Sequence, residues 1–168
     1  MRNQVFTVLA VVLVFAAIGC ASRQQIAATS DLLPVPIKRQ TQINEPGLKR
    51  MGVLLINSQE ELERLTPEAD SLVEVKVDFS RESLVVLCLG ERPTGGYWAR
   101  ITGVQRDPQS DALYVQGVAN QPGADDVVIE TLTYPCDAAV VPKVPARVIH
   151  PEIDSSTGAA MTTVGAPG

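Results

Sequence analysis

The groups in this chain that could do covalent or metal chemistry are few: one histidine, His150, and three cysteines, Cys20, Cys88 and Cys136. An ordinary zinc site takes four His, Cys or carboxylate ligands at set spacings, and this inventory does not supply one. A Ser-His-Asp triad would have to use His150 as its base, beside Pro151 near the carboxyl end, with no nucleophile or orienting acid placed for it. We therefore expect a surface histidine, no catalytic residue, no metal and no cofactor. The acidic clusters are Asp107 with Asp111 and Asp125 with Asp126. They lack the Asp-x-Asp-x-Asp-Gly ladder of a calcium loop and lie in separate turns, where aspartate is favoured for conformational reasons. The chain carries 14 Lys+Arg against 19 Asp+Glu, a net charge of −5, with no basic cluster. That balance argues against nucleic acid as a partner, since phosphate affinity comes mostly from basic side chains.

Cys20 has a different chemistry in prospect. Arg2 is the only charge before Arg23, and an apolar run from Val5 to Ile18 is broken only by Thr7. A short positive start followed by an apolar stretch too short for a comfortable membrane span is the pattern of a signal peptide. The run closes Ala17-Ile18-Gly19-Cys20, which resembles a bacterial lipobox. That resemblance implies removal of Met1–Gly19, acylation of Cys20 and a membrane anchor in the cell envelope. Ala17 stands where Leu is usual, and an ordinary signal peptide that happens to contain Cys20 is the alternative. Ala21 after the cysteine, rather than Asp, points to the outer membrane if the cell is Gram-negative. Cys88 and Cys136 then form an even pair in an oxidising compartment, either a disulfide or two buried thiols.

The remaining chain divides by composition. Residues 20–47 are rich in Gln, Thr, Ser and Pro and read as a flexible tether, with a short extended segment at Leu32–Ile37. Residues 145–168 carry Gly, Ala, Ser, Thr and Pro and read as a disordered tail. Between them, residues 48–144 hold one domain. Ser58 and Glu61 have capping-box spacing, so a helix is expected over Gln59–Leu65, ended by Pro67. Strands are expected at Met51–Ile56, Leu72–Phe79, Leu84–Leu89, Tyr97–Val104, Ala112–Val118, Val127–Tyr134 and Ala138–Val144. The wholly apolar Leu84–Leu89 should be central and covered on both faces. Short strands with one short helix predict a mainly β domain, an immunoglobulin-like β-sandwich or a compact barrel.

The densest local signal is Arg92-Pro93-Thr94-Gly95-Gly96-Tyr97-Trp98, a tight connection between two strands. Pro93 fixes one φ, Gly95 and Gly96 permit positive φ and close approach, and Tyr97 and Trp98 must point to opposite sides of the next strand. An aromatic beside such a loop can anchor a protein partner, although glycines in turns often serve the turn alone. The arrangement resembles the C-terminal domain of the PrcB family of protease complex subunits. The likeness rests on Leu84-Val85-Val86-Leu87-Cys88-Leu89-Gly90, then Pro93-Thr94-Gly95-Gly96-Tyr97, then Thr133-Tyr134-Pro135. Asn57–Leu62 and Asp78-Phe79-Ser80 also look like that family, and the likeness runs from Met51 to Lys143. It implies a non-enzymatic, exported lipoprotein domain that binds and stabilises an envelope or surface protein such as a protease, through Arg92–Trp98. Tyr97, which matches the motif, is the favoured anchor, with Trp98 packed in the core. The loop is also similar to the Asn-Pro-Thr-Thr-Gly-Tyr loop of chagasin-like peptidase inhibitors. Asn120–Asp126 contains only Gly123, however, and Pro135-Cys136-Asp137 stands where those inhibitors have Arg-Pro-Trp. A structural envelope lipoprotein whose loop does nothing specific is the remaining alternative.

Overall fold

A computed structural model of the protein describes residues 32–65 and 70–155. The expected signal peptide, Cys20 and the last part of the expected tail lie outside the described residues. Eight strands and two short helices follow in the order β1 (Leu33–Pro34), β2 (Arg39–Asn44), β3 (Met51–Ile56), α1 (Gln59–Leu65), α2 (Asp70–Val73), β4 (Glu82–Leu89), β5 (Trp98–Arg106), β6 (Ala112–Asn120), β7 (Pro135–Pro142) and β8 (Val148–Ser155). They form two four-stranded sheets, β1-β5-β6-β8 and β2-β7-β4-β3. This is a β-sandwich and not a closed barrel. All pairings are antiparallel except β6–β8.

From Leu84 to Leu89, β4 is apolar because both of its faces are covered. Val85, Leu87 and Leu89 face the other sheet and pack with Ala99, Ile101, Val104, Leu113 and Val115. Leu84, Val86 and Cys88 face the opposite way, into a second core closed by Leu62 of α1 and Leu72 of α2. α1 begins at the expected residue. The Ser58 hydroxyl accepts the Glu61 amide at 3.1 Å, and the Glu61 carboxylate reaches back to the Asn57 amide at 2.5 Å, one residue earlier than a standard capping box.

Four expectations about where the strands lie are corrected. Leu72–Phe79 is not a strand: its start belongs to α2, a second helix, and Val73 is exposed. Val75, Val77 and Phe79 still turn inward against the second core, so their alternation serves to cover a sheet face without pairing to a strand. Within residues 20–47, β2 is a polar strand that pairs along β7 from Arg39↔Val140 to Asn44↔Pro135. It lies at a sheet edge with nearly every residue exposed, so no apolar alternation marks it. Within residues 145–168, β8 pairs with β6 from Ala112↔Val148 to Ala119↔Ser155. A sheet edge tolerates the N–H that Pro151 lacks, and Ile149 and Ile153 pack against the core. The domain therefore extends beyond residues 48–144 at both ends. The fourth correction, at Val127–Tyr134, belongs to the site below.

Glu82 ties the incoming segment to the sandwich. Its carboxylate accepts the Asp78 amide at 3.1 Å and pairs with Arg39 at 2.9 Å and Lys38 at 3.1 Å. Those donors hold its pKa down to about 2.

Candidate functional site

The expected loop lies at the end of the sandwich where β4 hands over to β5. Gly90 ends β4 with φ +74°, and a Cβ there would stand 2.7 Å from the Lys49 carbonyl oxygen. The chain is then stitched to a second loop. The Arg92 amide donates to the Thr133 carbonyl at 2.8 Å, the Thr133 amide to the Arg92 carbonyl at 2.9 Å, and the Gly95 amide to the Ile129 carbonyl at 2.8 Å. The Thr133 hydroxyl donates to the Thr94 carbonyl at 2.8 Å, and the Asn120 side-chain amide donates to the Gly96 carbonyl at 3.2 Å.

These bonds explain the fourth correction. Val127–Tyr134 has strand-like alternation, but of its residues only Thr133 makes a strand-type bridge, to Arg92. Apolar side chains from both sides of the alternation face water: Val127 is fully exposed and Ile129 75% exposed on one side, and Leu132 is 55% exposed on the other. The segment is a loop fastened over the Pro-Thr-Gly-Gly-Tyr connection. Its alternation is legible in the sequence, but its exposure is not.

The two glycines differ in role. Gly96 has φ +84°, and an added Cβ would meet Pro122 at 3.1 Å and Val128 at 3.2 Å, whereas Gly95 has an ordinary φ and only van der Waals neighbours. Gly96→Ala is therefore expected to cost about 1–2 kcal/mol for the left-handed backbone, and Gly95→Ala roughly 0.5 kcal/mol or less. Urea unfolding midpoints of the two variants check this, and equal midpoints would refute it.

The aromatic pair is the reverse of the expectation. Trp98 is 41% exposed, while Tyr97 is half-buried against the core. The Arg92 guanidinium lies over the Tyr97 ring at 5.6 Å, in cation–π range. The strand sets this outcome: Ala99 and Ile101 of β5 face the core, so Trp98 must face away. Trp98, Tyr97 and Gly95 line an open groove of about 340 Å³ with Ile43, Asn44 and Pro135. The Tyr134 hydroxyl donates to Glu91 at 2.9 Å. That bond raises the phenol pKa, and the Tyr134 amide donates to the Asn44 side chain at 2.6 Å.

Cys88 and Cys136 stand directly opposite each other on β4 and β7, with Cα atoms 4.1 Å apart, and are joined as a disulfide. Cys136 also lines the groove. His150 lies away from this end, exposed on β8, and stacks on Tyr114 of β6 at 4.8 Å. Asp107 accepts the Gln109 amide at 2.8 Å and the Ser110 hydroxyl at 2.6 Å, a turn-forming role. Among the described residues no group of three His, Cys, Asp or Glu could hold a metal ion.

Fold and site together define a small β-sandwich domain with a surface built from two stitched loops at one end. Residues 83–142 match the model of the PrcB C-terminal family, a span running from β4 to β7 that contains both loops. The likeness expected from the Pro-Thr-Gly-Gly-Tyr loop is thus supported across that span. A search of curated proteins and a search of solved structures each returned no match.

Proposed function

We propose that this is an exported, lipid-anchored domain that binds an envelope or surface protein, in keeping with a protease complex subunit, and that it acts by association, not turnover. The observation that carries the reading is Trp98, a large aromatic left exposed at the rim of a groove inside the family-matched span. A rigid aromatic at a groove is the usual anchor of a protein interface. Association with the native partner would stabilise that partner by mass action and shield its exposed chain. The lipid on Cys20 would hold the pair at the membrane.

The test is cross-linking of the tagged chain in its native cells, with Trp98→Ala alongside. Loss of the anchor is expected to weaken association by about 2 kcal/mol, roughly thirty-fold, and so to remove the partner. Identical cross-linked proteins for both chains would overturn the reading. Trp98 is the better probe than Tyr97, whose removal would also strip packing from the core and the stack with Arg92. In the same cells Cys20→Ser should release the protein from the membrane fraction, and retention there would refute the anchor.

A further inference from the structure

We infer that the principal docking surface is the 125–132 loop, and that its occupant is a protein segment carrying aliphatic side chains interspersed with Lys or Arg. This rests on the protein-binding reading above and names the chemistry of the partner. Single exposed aliphatic residues are ordinary on a protein surface. Here Val127, Ile129 and Leu132 are exposed within six residues, and Ile129 is bonded through its carbonyl to Gly95, at the edge of the groove that Trp98 lines.

The loop is also held in place. Its backbone is bonded to Gly95 through Ile129, and Thr133 just after it is bonded to Arg92; its first turn is closed by the Asp126 carboxylate accepting the Gly123 amide at 2.8 Å. Apolar side chains presented on an ordered backbone lose less entropy on binding than those of a free loop.

Charge selects among occupants. From Gln121 to Tyr134 there is no Lys or Arg, while Asp125, Asp126 and Glu130 are all exposed. Asp126 is engaged by Gly123 and Glu91 by Tyr134, and Arg92 of the neighbouring loop lies over Tyr97. Asp125 and Glu130 are left to face the partner. Acidic groups beside an apolar patch favour a basic, aliphatic protein surface and repel an anionic lipid face.

The only tryptophan of the chain is Trp98, so its fluorescence reports occupancy of this end of the molecule. The purified full chain is titrated with short synthetic peptides alternating Leu with Lys, Leu with Glu, or Ser with Lys. The Leu/Lys peptide is expected to bind at least about tenfold more tightly than either other peptide. The combined Val127→Ser, Ile129→Ser and Leu132→Ser variant should lose about that factor, as should Asp125→Lys with Glu130→Lys. Both variants alter exposed side chains only, and unchanged unfolding midpoints confirm that they fold. Equal binding of the Leu/Glu peptide, or full binding by the serine variant, would overturn the inference. So would a fluorescence shift on phosphatidylcholine/phosphatidylglycerol vesicles that the serine variant abolishes, since the loop would then be a membrane contact. In native-cell cross-linking, a partner lost with Trp98→Ala but kept by the serine variant sinks this inference and leaves the wider reading standing. A partner kept by both sinks the two together.

Discussion

Replacing Cys88 and Cys136 together by alanine is expected to lower the stability of the domain by about 4 kcal/mol. The bridge joins residues 48 apart in sequence, and chain-entropy reasoning for a loop of that size gives about 4 kcal/mol. Its position adds to the consequence. Cys88↔Cys136 pairs the two central strands of one sheet, on the face that α1 and α2 cover. The same strand begins immediately after the 125–134 loop, so the bridge also anchors the loop that carries the exposed aliphatic residues. Urea unfolding of the wild-type chain with and without reductant, beside the double variant, measures the effect. The reduced wild type and the variant should unfold at similarly lowered denaturant concentrations. An unchanged midpoint in the variant would show that β4 and β7 are held by packing and backbone bonds alone.

Asp137→Ala is expected to cost about 3 kcal/mol, because it leaves the buried Ile101 amide without an acceptor, at about 1–3 kcal/mol, and takes one of two acceptors from the Gln40 side-chain amide, worth about 1 kcal/mol. Asp137 on β7 is only 1% exposed. Its carboxylate accepts the Ile101 amide at 2.6 Å and the Gln40 side-chain amide at 2.5 Å, and Gln40 also donates to the Ile101 carbonyl at 2.8 Å. Three elements meet there: β2 and β7 of one sheet, and Ile101 at the irregularity of β5. The register of β5 on β6 shifts between Ile101 and Gly103. One extra residue changes the parity, so Ala99, Ile101 and Val104 all face the core.

Acid should act on Asp137 and Glu82 in opposite senses. Burial raises the Asp137 pKa above 3.8, against the smaller lowering effects of Ile101 and Gln40. The folded state therefore takes up this proton before the unfolded state does. Stability rises as pH falls from neutral through the raised value toward 3.8. Glu82 is lowered from 4.5 to about 2, so its contribution is present above 4.5 and is lost as pH falls toward 2. The domain should be most stable under mildly acidic conditions. Asp137→Asn keeps an acceptor for Ile101 and Gln40 and should flatten the rise without removing the loss at lower pH. Chemical unfolding from pH 7 to 2 on both chains tests this, and parallel curves would refute the role given to Asp137.

The sequence by itself determined the elements whose pattern is local. Ser58 and Glu61 define the start of α1 because capping acts over three residues. The apolar run of β4 declares a strand covered on both faces. The order Pro93-Thr94-Gly95-Gly96-Tyr97 marks the loop and the likeness to the PrcB C-terminal family. Leu113 and Val115 face inward by simple alternation along β6. Tertiary structure alone decided what depends on partners distant in the chain. β2 and β8 lie at sheet edges and carry polar residues or Pro151, so they become strands only because β7 and β6 offer them backbone partners. Val127–Tyr134 has the alternation of a strand, but stitching to Arg92 and Gly95 holds it as a loop with Val127, Ile129 and Leu132 turned outward. Trp98 rather than Tyr97 faces solvent because β5 puts Ala99 and Ile101 in the core. Cys88 and Cys136 were an open pair until strand register set them opposite each other. Periodicity reports which side chains can share a face, and only packing settles whether that face meets a core, a neighbouring strand or water.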